Sequence, residues 1–402
     1  MVTEMNVTAR DISIPENWNR SGLPAWTYHS DAMLALERQD AFLNHWQIIG
    51  HGSNMPNKGD YLAMDIGAER ALVVRGGDGI VRGFHNLCRH RGSRVVADEQ
   101  GTCNNALVCP FHGWVYNLDG TLRGAARPNS FSEFDKTDFG LKPIETEVWK
   151  GFIFVRLSPG PQPTVAELMA PVAEEFGHYR PEDVIPAGEF WTHVSPVNWK
   201  SVRDVDNEGY HVAMAHPALQ DLYGSTYYDE PMVNGVNRSF ATFNPHAGHR
   251  WSVRNYVKMT PVREYLPEHL RKAWIYYGMF PNTVIAVTPE TVQFYQEFPI
   301  ATDRTLLRGC VYRYANEDRK TRMARYLAAR IDRDTTAEDI QLTIWSNESM
   351  KSTAFEGFHL SDLEYGVRAH HDHLRALLPV MTIKDRPSES DIAALNDKMK
   401  RD

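Results

Sequence analysis

Apolar positions along the chain fall into distinct spacings. Residues 1–29 show no regular spacing, and Pro15, Gly22 and Pro24 interrupt any element there. Ser30 precedes DAMLALERQDAF, where Ala32, Leu34, Leu36 and Phe42 supply an apolar side among strong helix formers. This predicts a helix capped by Ser30. From Trp46 the pattern changes to short β-type runs split by glycine turns: WQIIG, DYLAMDIG, ALVVRGGDG and IVRGFHNL. Such runs predict a small antiparallel domain. It continues through ALVCPFHGWVYNLDG, with a hairpin turn at Leu118-Asp119-Gly120, and ends near GFIFVRLSPGPQP. The Pro/Gly cluster at 159–163 reads as a boundary.

Beyond the boundary the spacing predicts a helix over 164–178 and strands from about 186 to 313. Alternation in VQFYQEFPI and LLRGCVYRYA supports a sheet, interrupted by the insert NWKSVRDVDNEGYHVAMAHPAL. Met323, Leu327 and Ile331 predict a helix over 316–331, and a second helix is expected to start after Thr335 and Thr336. Another is predicted over roughly 361–378, where His370, His371 and His373 read as a solvated face. The polar tail 385–402 reads as a short surface helix. The expectation is an α+β chain. An all-β domain spans 46–158, a larger domain with an antiparallel sheet among helices spans 159–402, and segment 1–45 packs on the latter.

Composition narrows the chemistry. The 402 residues carry 43 Lys+Arg against 51 Asp+Glu, a formal charge of −8. Nucleic acid is therefore not expected as a partner, because neutralising phosphates needs an excess of cations. No run reaches the length of a membrane span, and the first residues lack the apolar stretch of a secretory signal. A cytoplasmic protein with reduced thiols is expected. Four cysteines in this length do not form a disulfide framework. The 17 histidines raise the question of metal.

Two short loops answer it. Cys88-Arg89-His90 and Cys109-Pro110-Phe111-His112 each offer one thiolate and one imidazole, followed by Arg91-Gly92 and Gly113-Trp114. Buried cysteines beside surface histidines would explain one such loop but not two matched ones. A zinc finger usually draws its cysteines from one loop and its histidines from a helix. Ligands mixed loop by loop fit a two-iron cluster better, with one iron on the thiolates and the other on the imidazoles, which is the Rieske [2Fe-2S] arrangement. Cys103 fits no ligand spacing and reads as structural. The insert adds a second constellation, His211 and His216. Five residues apart on an ideal helix, they would point about 140° apart. Pro217 disfavours helical geometry at His216 and so permits convergence. Two histidines with one carboxylate and open positions form the facial triad of mononuclear Fe(II) oxygenases.

The stretch NLCRHRGSRVV…LVCPFHGWVYNLDG resembles the Rieske domain in the large (α) subunit of the Rieske non-haem iron oxygenases. The resemblance runs from about Trp46 to Arg375, far beyond the size of a Rieske ferredoxin. It implies a helix-grip (START-like) catalytic domain. It also implies Cys88, His90, Cys109 and His112 as cluster ligands and His211 and His216 as iron ligands. Asn198-Trp199-Lys200, an acidic run and Glu208 match the family pattern, which marks Asn198 and Glu208 as candidate catalytic residues. Most members carry Asp where this chain has Glu208. There the acid links the cluster of one subunit to the mononuclear iron of its neighbour. The glutamate variant is familiar from members acting on carnitine-like quaternary amines. For the third iron ligand, Asp339 is favoured over Glu338. A capping box from Thr336 to Asp339 competes for the same carboxylate.

The resemblance further implies a head-to-tail homotrimer. It also implies a separate flavin/ferredoxin-type reductase that draws on NAD(P)H, since no GxGxxG fingerprint or all-cysteine ferredoxin run is found here. The expected reaction is O2-dependent oxidation of an N-methyl group of a small, stachydrine-like betaine, with release of formaldehyde. Tyr276, Tyr277, Phe280, Phe294, Tyr295 and Phe298 are candidates for cation–π contacts, although strand aromatics more often pack a core. An aromatic-ring hydroxylase and a non-enzymatic electron-transfer or zinc-binding protein are the alternatives.

Overall fold

The computed structural model describes residues 18–160 and 163–401. The predicted breaker Pro15, and residues 161–162 of the predicted boundary, lie outside the described residues. The chain divides into two compact units: Phe42–Glu167, and the described residues on either side of that segment. Residues 42–45 thus group with the β-rich unit rather than with the N-terminal segment.

In the β-rich unit, β1 (Gln47–His51), β2 (Asp60–Ile66), β3 (Glu69–Arg75), β4 (Val81–His85) and β5 (Gln100–Thr102) come first. They are followed by β6 (Leu107–Val108), β7 (Val115–Tyr116), β8 (Leu122–Gly124), β9 (Glu145–Trp149) and β10 (Phe152–Arg156). They form antiparallel sheets in the orders β4-β3-β2-β5, β1-β10-β9 and β6-β7-β8. β10 does not alternate. Phe152, Ile153, Phe154 and Val155 are all buried, as expected of a strand covered on both faces. The predicted hairpin joins β7 to β8, and Gly120 takes the left-handed conformation (φ +86) that the turn requires.

The larger unit opens with α1 (Asp31–Glu37), where the Ser30 hydroxyl accepts from Met33 N at 3.0 Å. The helix predicted over 164–178 is split at Pro171 into α2 (Val165–Leu168) and α3 (Ala173–His178). The strands are β11 (Val184–Pro186), β12 (Trp191–Ser195), β13 (Tyr228–Asp229), β14 (Val236–Thr242), β15 (Ala273–Met279), β16 (Thr283–Val287), β17 (Thr291–Ala301) and β18 (Arg304–Tyr314). They form one antiparallel sheet ordered β11-β18-β17-β16-β15-β14-β13, with β12 also on β18. The insert supplies α4 (Trp199–Asp206), α5 (Val212–Ala215) and α6 (Pro217–Tyr223). After α7 (Trp251–Met259) come α8 (Arg319–Ser349), α9 (Tyr365–Leu377) and α10 (Ile392–Met399). The core under α8 joins Leu327 and Ile331 to Leu222, Tyr223, Tyr256 and Trp274.

Three expectations change. No helix begins after Thr335 and Thr336, because α8 runs unbroken for 31 residues. Its start is capped by Asp318, which accepts from Thr321 N at 2.7 Å, while Thr336 Oγ1 donates back to Asp332 O at 2.8 Å. No capping box forms, and Asp339 is free of that role. His370 and His371 are not a solvated face but are 1% and 0% exposed. His371 Nδ1 accepts from Leu23 N, so its Nε2 donates to Asp204 Oδ1 at 2.8 Å, and His370 Nε2 lies 2.9 Å from Pro281 O. The tail helix α10 is anchored by buried Ile392 and Asn396. Arg20 pairs with Asp362 through two contacts, tying the start of the described chain to the segment before α9. Among the described residues no helix is long and apolar enough to cross a membrane.

Candidate metal centres and substrate cavity

The two Cys/His loops have the same backbone construction. Gly92 N donates to Cys88 O and Gly113 N to Cys109 O, at 2.9 and 3.0 Å. Cys88 N donates to Ser93 O and Cys109 N to Trp114 O, at 2.7 and 2.8 Å. Both closures need a left-handed residue, and Gly92 (φ +74) and Gly113 (φ +68) provide it. The result sets a buried thiol beside a partly exposed imidazole in each loop, with the His90 and His112 rings 4.5 Å apart. Trp114 stacks on His90, and Phe131 packs against both rings. Burial pushes the Cys88 thiol up, and the Tyr116 hydroxyl 3.2 Å from its sulfur works the other way. His90 Nδ1 and His112 Nδ1 are buried without a hydrogen-bond partner. Such orphaned lone pairs are costly unless a ligand takes them. Two paired thiols and two inward imidazole nitrogens suit a two-iron, two-sulfide cluster.

The second centre forms where the insert leaves helical geometry. α4 ends at Asn207, and Glu208-Gly209-Tyr210 turns the chain before α5. The turn is tight: a Cβ on Gly209 would lie 1.8 Å from the Tyr227 ring, so only glycine fits. Asp229 Oδ2 accepts from Gly209 N at 3.0 Å and fixes the turn against β13. His216, ahead of Pro217, sits at φ −117, ψ 80, outside the helical region. The two imidazoles therefore converge, with Nε2 atoms 3.0 Å apart. Asp339 Oδ1 lies 2.8 Å from His216 Nε2 and 3.5 Å from His211 Nε2. The outer nitrogens are both occupied: His211 Nδ1 pairs with Glu208, and His216 Nδ1 lies 2.9 Å from Glu338 Oε2. Nδ1 protons pointing at carboxylates leave the Nε2 lone pairs facing inward, the usual second shell of metal-bound histidine. Burial alone would lower the His211 imidazole, but contacts to Asp339 and Glu208 outweigh it and push it up to about 10. This site favours positive charge, and its three donors fit one divalent iron.

The Asn-Trp-Lys segment has a different task. Asn198 is 1% exposed and lies outside the cavity lining. Its side chain accepts from Lys200 N and donates to Tyr28 O and Thr302 O. Trp199 Nε1 donates to Glu37 at 2.7 Å, and Lys200 pairs with the same buried carboxylate. Asn198 thus caps and anchors α4, and its candidacy as a catalytic residue is withdrawn.

A cavity of about 270 Å³ opens over the His–His–Asp cluster, between one face of the sheet and α8. Alternation in β17 directs Gln293, Tyr295 and Glu297 into it, while Val292 and Phe294 face away and are buried. Of the six aromatic candidates, only Tyr276 and Tyr295 line the cavity; the other four pack elsewhere. Tyr223, Tyr227, Trp191 and Asp332 line it without having been singled out in sequence. Asp332 had a usable signal, since it precedes Asp339 by seven residues, about two helical turns.

The profile of the Rieske [2Fe-2S] domain matches residues 45–135, and that of the ring-hydroxylating α subunit (catalytic domain) matches 185–379. Together they span well over half of the chain. The chain belongs to the Rieske non-haem iron oxygenases. The family's cofactors are the Rieske [2Fe-2S] cluster and mononuclear iron, in agreement with the two donor sets. The oxygenase is 28% identical over 324 residues to the carnitine monooxygenase oxygenase subunit of Escherichia coli (strain K12), covering 78% of this chain and 82% of that one. It is 34% identical over 271 residues to the glycine betaine monooxygenase oxygenase subunit of Chromohalobacter salexigens, covering 64% and 60%. Its fold matches a solved quaternary ammonium Rieske monooxygenase with a TM-score of 0.76 at 21% identity, over 90% of this chain and 98% of that one. Naphthalene 1,2-dioxygenase from Rhodococcus sp. matches with a TM-score of 0.72 at 19% identity, over 89% and 94%.

Proposed function

We propose that this oxygenase oxidises an N-methyl group of a small quaternary ammonium compound, a stachydrine-like betaine being the example expected from sequence. The observation that carries the reading is the cavity wall. Tyr223, Tyr227, Tyr276 and Tyr295 stand with carboxylates over the His211–His216–Asp339 cluster, and no Lys or Arg is found among the described lining residues. Aromatic faces and acids favour a cation. A hydrocarbon ring would gain little from a wall of carboxyl and phenol groups, which weighs against ring dihydroxylation. The carnitine and glycine betaine relatives support the same choice.

In this reading Cys88, Cys109, His90 and His112 hold the cluster, and His211, His216 and Asp339 hold the iron. The loaded iron supplies activation of dioxygen. Glu208 and Glu338 keep the histidine Nε2 lone pairs aimed inward, and the enclosing tyrosines limit water. Overall, O2, two electrons and two protons convert N–CH3 to N–CH2OH and water. The C–N bond of that carbinolamine then breaks, giving a tertiary amine, formaldehyde and a proton. Electrons come from NAD(P)H through a separate flavin/ferredoxin-type reductase. A head-to-tail homotrimer would bring Glu208 to a neighbour's cluster.

The test is a panel of quaternary amines and aromatic hydrocarbons with a surrogate reductant, following oxygen uptake and formaldehyde together. Formaldehyde in step with oxygen supports the proposal. A cis-diol or phenol from the hydrocarbons, with no formaldehyde from any amine, overturns it.

A further inference from the structure

Five carboxylates line the cavity: Asp206, Glu208, Glu297, Asp332 and Asp339. Four have a positive or imidazole partner. Glu208 pairs with His211, and Asp339 lies against both histidines. Arg203 Nη1 lies 2.8 Å from Asp206 and 3.4 Å from Glu297. Asp332 has the neutral side chain of Gln293 as its hydrogen-bond partner and no ion pair among the described residues; the charge of the adjacent Arg333 pulls its carboxyl down only in part. An acid largely withdrawn from water without an ion-pair partner is costly. Burial accordingly pushes its carboxyl up to about 7. In a cavity, such an acid is a candidate for function rather than for stability.

Its position fits a ligand. Asp332 and Asp339 stand seven residues apart on the unbroken α8, hence on nearly one face and roughly 10.5 Å apart along the axis. Beside Asp332 are Tyr223 and Tyr276, with hydroxyls 3.2 Å apart, and its charge helps raise the pKa of both phenols. An ammonium head held there would lie in the same cavity as the His211–His216–Asp339 cluster, with α8 as the shared wall.

We propose that Asp332 is the residue that selects a positively charged substrate, taking the ammonium head between its carboxylate and the faces of Tyr223 and Tyr276. This rests on the quaternary-amine reading above. The test uses pairs that differ only in the charged atom: choline against 3,3-dimethylbutan-1-ol, and glycine betaine against 3,3-dimethylbutanoate. Binding to the iron-loaded enzyme without reductant is measured by calorimetry. The native enzyme should prefer the cation roughly a hundredfold, a charged contact of ordinary strength. Asp332→Asn should reduce that preference to roughly tenfold or less, and Asp332→Glu should keep most of it. Because each ratio compares two ligands on one protein, general damage to the fold does not move it. A native enzyme without cation preference, or equal ratios in Asp332→Asn and native enzyme, overturns the assignment. Turnover of N-methyl compounds with an unchanged ratio refutes only the role of Asp332, whereas hydrocarbon turnover alone refutes the underlying reading.

Discussion

Glu290→Gln tests how burial sets charge in the larger unit. Glu290 lies in the turn between β16 and β17 and is fully buried, and neither carboxylate oxygen has a hydrogen bond of normal geometry. Burial pushes its carboxyl from 4.5 up to about 7; nearby Tyr256 and Thr288 pull it back only in part, and the charge of Asp332 adds to the rise. The folded state therefore prefers the protonated acid. Its contribution to stability is full below about pH 4.5 and is lost as pH rises to about 7. That gap, at about 1.4 kcal/mol per tenfold, amounts to about 3 kcal/mol. Glutamine mimics the protonated acid and does not titrate. At pH 8 the variant should be more stable by about 3 kcal/mol, seen as a Tm higher by roughly 5–10 °C. At pH 5 the two proteins should agree within about 1 kcal/mol. Calorimetric unfolding of both iron-loaded proteins at the two pH values measures this. An equal Tm difference at both would show that ionisation of Glu290 is not the cause.

Asp339→Ala should abolish the mononuclear iron while the visible spectrum of the cluster persists; loss of both metals would contradict two independent donor sets. Glu338→Gln leaves the iron ligands in place but removes the ionised acceptor of His216 Nδ1, so iron affinity should fall roughly 10- to 100-fold by chelator competition. Glu208→Gln removes the matching acceptor of His211 Nδ1 and should weaken iron comparably; with the iron site saturated it should still slow product formation by roughly tenfold or more, and a saturated variant with most of its activity would exclude a bridging role. Lys200→Met leaves the fully buried Glu37 charge without its ammonium partner, which should cost about 3–5 kcal/mol in denaturant unfolding. Adding Glu37→Gln should restore part of that loss.

What the sequence disclosed depended on how local each signal was. The Cys/His loops and the glycines that close them, Gly92 and Gly113, lie within 26 consecutive residues, 88–113. The convergence of His211 and His216 was legible because Pro217 acts on its immediate neighbour. Asp339 could be suggested, but its freedom from capping could not. Thr335 and Thr336 look like a helix start, and only the tertiary packing of α8 carries the helix through them. The pairing of Glu338 with His216 spans 122 residues and leaves no local trace. His370 and His371 have the composition of a wet helix face. Their partners, Pro281, Leu23 and Asp204, come from elements remote in sequence. Asn198-Trp199-Lys200 matched a pattern, yet a pattern does not distinguish a residue that reacts from one that holds a helix in place.

The continuity of α8 also governs how substrate range could change. A helix offers wall positions only in steps, about 5.4 Å per turn. Thr335 and Thr336 line the cavity one turn nearer to Asp339 than Asp332 does, and Ile340 and Thr343 lie to its other side. If Asp332 holds the cation, an acid transferred to 335 or 336 would draw it about one turn closer to the His211–His216–Asp339 cluster. The set of oxidisable carbons would then shift by discrete increments, with the helix acting as a graduated scale. A side-chain exchange on that scale changes which bond is exposed, while the scaffold that fixes the metal stays untouched.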